Sequence, residues 1–169
     1  MTRIELLTSS HNREAFDCGC APLNLFLKQT AGQHARRGIS RTYVLVADDA
    51  VEPKDILGFF SLNLCQVKAD ELPPEHEKKF PREVGAVRLG RLAVSKLRQR
   101  QGLGTVLLVA ALNKAMDVFR TAGGVGLFVD AKDIPAKEYY ERFGFISLPA
   151  NELQLFLPIK TIAALLSER

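Results

Sequence analysis

The sequence predicts an α/β fold built on a mixed central sheet, and three observations carry that expectation. Strand-length apolar runs alternate with helical stretches through the middle of the chain, paired strand-like runs lie toward its ends, and no segment repeats. At 169 residues the chain is long enough for one domain, 1–169, with a substantial core. Its apolar share of 47% beside a charged share of 25% is ordinary for a soluble globular protein.

Each element has a local reason. Residues 3–8 (RIELLT) read as an opening strand. Pro22 is tolerated in a first helical turn, and the helix it begins runs to Gly38, a natural C-terminal stop. Residues 42–48 (TYVLVAD) form a β-branched strand and residues 56–67 (ILGFFSLNLCQV) a longer one, joined into a hairpin by the turn DDAVEPKD. Residues 68–83 are charged and proline-rich and read as a surface loop. A strand at 86–94 (AVRLGRLAV) leads into a glycine turn and then a helix to about Arg120, which TAGG ends. Residues 125–131 (VGLFVDA) are a short, nearly continuous apolar strand of the buried kind. Residues 134–144 are a helix with Pro135 near its start and Gly144 as its stop. Two short strands, near FISL and LQLFLPI, and a last helical turn or two follow.

Composition narrows the function classes. There is no apolar run of about 18 residues, so no membrane span is expected, and MTRIELLTSSHNREAFD lacks the apolar core of a secretory signal. Cys18, Cys20 and Cys65 are too sparse for a disulfide framework or a zinc site and are expected as free thiols in a reducing cytoplasm. His76 has no ligand partner at usable spacing, and no metal is expected. A net charge of +4 does not by itself argue for nucleic acid, but its distribution is uneven. Arg36, Arg37 and Arg41 stand within six residues, and Arg88, Arg91, Lys96, Arg98 and Arg100 form a second cluster. Each alone would be a solvated cationic face; the two brought close together would favour a polyanion.

The chemistry concentrates in RQRQGLGTVLL, residues 98–108. Gln99, Gly102 and Gly104 stand between a strand and a helix whose first N–H groups have no partner inside the helix and can hold an anion. Glycine admits backbone close to phosphates where a Cβ would collide, and the helix dipole adds to the attraction. A P-loop needs a lysine after its last glycine, and none follows. A dinucleotide fingerprint needs a third glycine, and a leucine stands in its place.

The spacing Gln99-x-x-Gly102-x-Gly104 resembles the Arg/Gln-x-x-Gly-x-Gly/Ala signature of the GNAT acetyltransferases. The resemblance extends over almost the whole chain, and within that family it is to the TacT/AtaT-type toxins of type II toxin–antitoxin systems. It runs in order through FDCGCAPLNLFLKQTAGQHARRGISRTYVL, ILGFFSL, LGRLAV and AKEYYERFGF. It implies the GNAT fold, a mixed sheet splayed between its fourth and fifth strands (86–94 and 125–131) and flanked by helices. It implies acetyl-CoA as co-substrate, with the pyrophosphate held by Gln99, Arg100, Gln101, Gly102, Leu103, Gly104 and Thr105. The main chain of Leu92, Ala93 and Val94 would align the pantetheine arm and the thioester, and an N–H there could stabilise the oxyanion formed on attack.

At 100° per residue Tyr139 and Tyr140 share the inward face of the 134–144 helix with Ala136 and Phe143. As residues they read as two core tyrosines. The family pattern Ala-Lys-x-x-Tyr ahead of GF makes Tyr140 the catalytic candidate, beside the coenzyme sulfur. A phenol, ordinarily near pKa 10, is protonated at pH 7 and can give its proton to the leaving thiolate.

Many GNAT enzymes carry a glutamate on the fourth strand as general base, yet between Val84 and Lys96 this sequence has no carboxylate. A lysine amine, pKa about 10.4, is neutral in roughly one molecule in a thousand at pH 7.4, whereas an α-amine near 7.7–8 is about a quarter neutral. An acceptor α-amine therefore needs no strong base. The toxins this chain resembles acetylate the α-amine of the amino acid on charged tRNA, which blocks translation. Arg36, Arg37, Arg41, Arg88 and Arg91 are then the candidate phosphate contacts, Arg91 foremost. The resemblance also implies a homodimer and a ribbon-helix-helix antitoxin, with DNA reached only through that antitoxin. Two other readings stay open. One is a GNAT enzyme for a small-molecule amine or a protein lysine, with Asp70, Glu71, Glu75 or Glu77 on the acceptor side; the other is an inactive GNAT-like binding module, which would not need the glycine turn.

Overall fold

The computed structural model describes residues 1–168. In chain order the elements are β1 (Thr2–Leu6), β2 (His11–Asn12), α1 (Ala21–Leu25), α2 (Ala31–Arg36), β3 (Arg41–Ala47), β4 (Lys54–Asp55), β5 (Gly58–Lys68), α3 (Pro74–Glu77), β6 (Glu83–Val94), α4 (Leu103–Ala122), β7 (Gly126–Asp130), α5 (Ile134–Glu141), β8 (Ile146–Leu148), β9 (Asn151–Pro158) and α6 (Ile159–Ser167). Seven strands form one mixed sheet in the order β1-β3-β5-β6-β7-β9-β8, as the α/β expectation requires. The chain divides into two compact units, residues 1–63 with 90–111 and residues 64–89 with 112–169.

In the first unit β3 pairs antiparallel with β1 (Leu6↔Tyr43) and with β5 (Arg41↔Leu62), which is the expected hairpin. Its alternation turns Val44 and Val46 into a core with Phe16, Phe26, Leu27, Ala31 and Phe59. The single helix expected between Pro22 and Gly38 is interrupted. Residues 26–30 widen into a turn in which the Ala31 N–H reaches the Phe26 carbonyl, five residues back. The extra residue lets Phe26, Leu27 and Ala31 all be buried on one side. Gly38, at φ 72°, ends the segment as expected.

The short parallel pair β2–β4 (His11↔Lys54, Asn12↔Asp55) has too few residues to show a period in sequence. Charge holds it. The Glu5 carboxylate accepts from Lys54 Nζ at 2.9 Å, Arg3 Nε at 2.6 Å and His11 Nε2 at 2.8 Å. Those bonds, Lys54 first, pull its pKa from 4.5 down to about 2.

In the second unit β6 runs parallel to β7 from Val87↔Leu127 to Leu89↔Val129, and β7 and β8 both pair antiparallel with β9. The pairing of β6 with β7 ends at Leu89, although β6 itself continues to Val94. Phe128 and Phe156, with ring centroids 4.9 Å apart, anchor this core beside Leu72, Val84, Ala86 and Leu148. Residues 68–83 are more ordered than a surface loop. A 3-10 turn at 69–71 and the short helix α3 occupy them, pinned because Leu72 is buried in that core. Apolar anchoring by one leucine is invisible among so many charged neighbours.

Candidate functional site

The end of β6 and the start of α4 are fixed by main-chain contacts. Gly58 on β5 comes so close that a Cβ there would stand 2.8 Å from the Ala93 carbonyl oxygen. Past Val94 the Ser95 N–H donates to the Leu57 carbonyl (2.9 Å) and the Lys96 N–H to the Asp17 carbonyl (2.8 Å), and residues 96–98 close a 3-10 turn. Gln99 then stands extended, with its Nε2 donating to the carbonyls of Cys18 (3.1 Å) and Val94 (3.0 Å). Its side chain braces the turn, so Gln99 has only its main chain to offer a ligand.

The next residues have the backbone that an anion cradle needs. Arg100 sits at φ 64° and Gly102 at φ 78°, both left-handed. Such a conformation costs a non-glycine residue on the order of 1 kcal/mol or more and collects at binding loops. Left-handed residues in a tight turn curve successive amides toward a common concavity. A Cβ added at Gly102 would meet nothing within 4 Å, so the glycine is required by its dihedral and leaves open space over the loop. Helix α4 begins at Leu103, and the first bond of its mouth runs from the Val106 N–H to the Gly102 carbonyl (3.2 Å). The N–H groups of Leu103 and Gly104 precede that bonding. A pyrophosphate fits this loop: the turn is narrow, the space above it is open, and a twenty-residue helix starts there. In the same unit Ala93 is buried, while Leu92 and Val94 are half-buried.

Tyr140 belongs to the second unit. Asp133 caps α5 by accepting from the Ala136 N–H (2.9 Å), with Pro135 in the first turn, and Gly144, at φ 99°, follows the helix. Of the two tyrosines expected to face inward, Tyr140 is the deeper, only 8% exposed. Its ring meets Tyr139 and Phe145 edge-on at 5.5 and 5.4 Å. Burial, with a smaller push from Tyr139, raises the phenol to about 12. Tyr139 is half-buried and packs on Phe143 (5.2 Å).

The candidate phosphate contacts separate into different situations. Arg88, in the second unit, donates to Asp130 at 2.7 Å and is a paired cation. Arg91, in the first unit, lies 3.8 Å over the Phe26 ring, and burial lowers its pKa. Arg37 is exposed at the end of α2. Arg36 and Arg41 line one cavity, together with Arg13, which no cluster or motif along the chain singles out. Among the described residues no group of His, Cys, Asp and Glu could hold a metal, and no helix is long and apolar enough to cross a membrane. His76 instead sets its ring edge-on to Phe156 at 5.5 Å. Cys18, Cys20 and Cys65 are free thiols, and burial pushes Cys18 and Cys65 up.

Known proteins resemble this chain over most of its length. Residues 6–145 match the acetyltransferase (GNAT) family. A tRNA-acetylating toxin of Mycobacterium tuberculosis is 29% identical over 154 residues, covering 91% of this chain and 90% of that protein. A solved structure of AtaT complexed with acetyl-methionyl-tRNAfMet is 34% identical with a TM-score of 0.89, covering 98% of this chain and 99% of that one. A tyrosine-to-phenylalanine mutant of the AtaT toxin, bound to the C-terminus of the antitoxin AtaR and to acetyl-CoA, is 32% identical with a TM-score of 0.83, covering 97% of each chain. The glycine turn at the mouth of α4 and the match over most of the length agree: this chain belongs to the acetyltransferase (GNAT) family.

Proposed function

We propose that the chain, as one GNAT domain over 1–169, moves an acetyl group from acetyl-CoA to the α-amine of an aminoacyl-tRNA and thereby acts as a translation-blocking toxin. The observation that carries this reading is the glycine turn, where Arg100 and Gly102 are left-handed beneath open space at the start of a twenty-residue helix. Bound there, acetyl-CoA supplies an acetyl group activated as a thioester. The main chain from Gln99 to Thr105 holds its pyrophosphate, and that of Leu92 to Val94 aligns the thioester carbonyl. Tyr140 is the general acid. With its pKa raised to about 12 it is fully protonated at neutral pH, and it hands that proton to sulfur as the C–S bond breaks and the C–N bond forms. The attacking nitrogen becomes cationic as the C–N bond forms, and the proton it then loses restores the phenol of Tyr140, so that amide, free thiol and neutral Tyr140 are left.

The acceptor follows from what the strand lacks. Residues 84–96 hold no carboxylate to deprotonate a lysine, and an α-amine does not need one. Arg36, Arg37, Arg41, Arg88 and Arg91 are the tRNA contacts of this reading, with Arg88 acting alongside its Asp130 partner. The relatives' complexes with acetyl-methionyl-tRNA and with an antitoxin support the same acceptor and an antitoxin as regulator. A ribbon-helix-helix fold for that antitoxin and a cytoplasmic homodimer for the toxin complete the proposal. A translation extract given labelled acetyl-CoA and then digested with RNase is expected to carry its label on aminoacyl-adenosine. Label on protein or on a free amine would assign the enzyme a different acceptor.

A further inference from the structure

Within the first unit, an open cavity of about 280 Å³ lies beside α2, β1 and β3, with walls that include Leu7, Arg13, Gly32, Thr42 and the exposed Arg36 and Arg41. Two guanidinium groups converge in it. A Cβ added at Gly32 would lie 3.3 Å from Arg13 Nη1 and 3.4 Å from Arg36 Nη1, so both cations approach one bare patch of helix. Like charges so placed repel, and burial together with Arg36 lowers the pKa of Arg13. No carboxylate among the described residues pairs with Arg13, Arg36 or Arg41. Arg41 spends one nitrogen on the Ala35 carbonyl (3.0 Å).

A second, independent feature stands in the same cavity. Thr42 is 2% exposed, and its Oγ1 is buried with no hydrogen-bond partner. Natural proteins avoid an orphaned buried hydroxyl, and one that persists calls for an acceptor or donor the chain itself does not provide. Excess positive charge, an unused hydroxyl and room for a small group are complementary to one chemistry, a tetrahedral oxyanion.

We propose that this cavity binds a phosphate group, with Arg13 and Arg36 donating to its oxygens and the Thr42 hydroxyl supplying a further donor. The phosphate is either one link of an RNA backbone or a free phosphate, and the test separates the two. This rests on the reading of Arg36 and Arg41 as tRNA contacts and deepens it; because binding is measured with no acetyl donor present, its failure is distinguishable from a failure of the acetyl-transfer reading.

The experiment follows the arginine Nε–Hε resonances of the full chain by NMR. Inorganic phosphate is titrated against chloride at equal ionic strength, and separately an RNA stem-loop ending in CCA, with no amino acid attached, is added. Saturable shifts of Arg13 and Arg36 with both support the pocket and assign it to RNA; shifts with phosphate alone support it and assign it to the free ion. Arg13→Met, which keeps the apolar stem, should weaken binding about tenfold or more. Thr42→Val should weaken it about three- to tenfold while leaving the melting temperature in chloride unchanged or raised, since it removes an unsatisfied hydroxyl. The valine variant carries the test if the methionine one does not fold. No saturable shift with either ligand, or binding unchanged in both variants, overturns the proposal.

Discussion

The glycine turn at residues 99–105 and the cavity around Arg13 and Arg36 lie in the same unit, and both suit phosphates by opposite means. The turn works chiefly through main chain: two left-handed residues and the uncommitted amides of a helix start, with the amide of the Gln99 side chain used up in bracing. The cavity works through side chains, with cations lacking carboxylates and a hydroxyl lacking a partner. Oriented dipoles select by shape and leave net charge unchanged, whereas guanidinium groups select by charge and compete with salt. If the proposed phosphate pocket holds, one unit carries two anion sites of opposite design, one built on dipoles and one on charge.

The largest expected effect is on chemistry alone and serves to calibrate both sites. Tyr140→Phe should lower kcat by about a hundredfold or more while leaving the KM for acetyl-CoA and the affinity for RNA nearly as they were. A full-speed variant would remove the phenol from the reaction. Gly102→Val strikes the main-chain site directly. Valine resists φ 78°, and its side chain would occupy the open space over the loop. The KM for acetyl-CoA is expected to rise about tenfold or more from the distortion, and steady-state rates giving an unchanged KM would break the dipole side of the comparison.

Ionic strength sharpens the contrast further. Raising salt from roughly 50 to 200 mM should weaken RNA binding about tenfold or more and acetyl-CoA binding several-fold less. Equal slopes for the two ligands would mean that both sites grip by charge.

The smallest effect tests the compensated cations of Glu5 against the uncompensated ones of the cavity. Glu5 titrates near 2 in the folded chain and at 4.5 as a free side chain, so its folded pKa is depressed. The stability it contributes is fully present above about pH 5 and is lost as pH falls through 2. Thermal melts of Glu5→Gln should accordingly fall less steeply between those limits than those of the parent chain, by a few degrees.

Legibility in the sequence follows the same division. Main-chain function leaves a local record, because only glycine tolerates certain dihedrals and close approaches, and so the 98–108 stretch declares itself in the order of its residues alone. The central alternation of strands and helices, the hairpin of β3 with β5 and the Gly38 stop are legible for the same local reasons. Side-chain function assembled across the fold leaves no such record. Arg13 approaches Arg36 over the bare surface of Gly32 on α2, and Arg88 finds Asp130 only through a strand pairing distant in sequence. The widened turn at 26–30 and the buried Leu72 are hidden as well, since each depends on which face packing selects.

The brace at Gln99 has an engineering consequence. The coenzyme loop is fastened through the carbonyl of Cys18, and its neighbour Lys96 through that of Asp17. A graft of residues 95–105 into another scaffold would carry the signature and leave its anchor behind. The portable unit is therefore discontinuous: the strap around residues 17 and 18 has to travel with the motif it steadies.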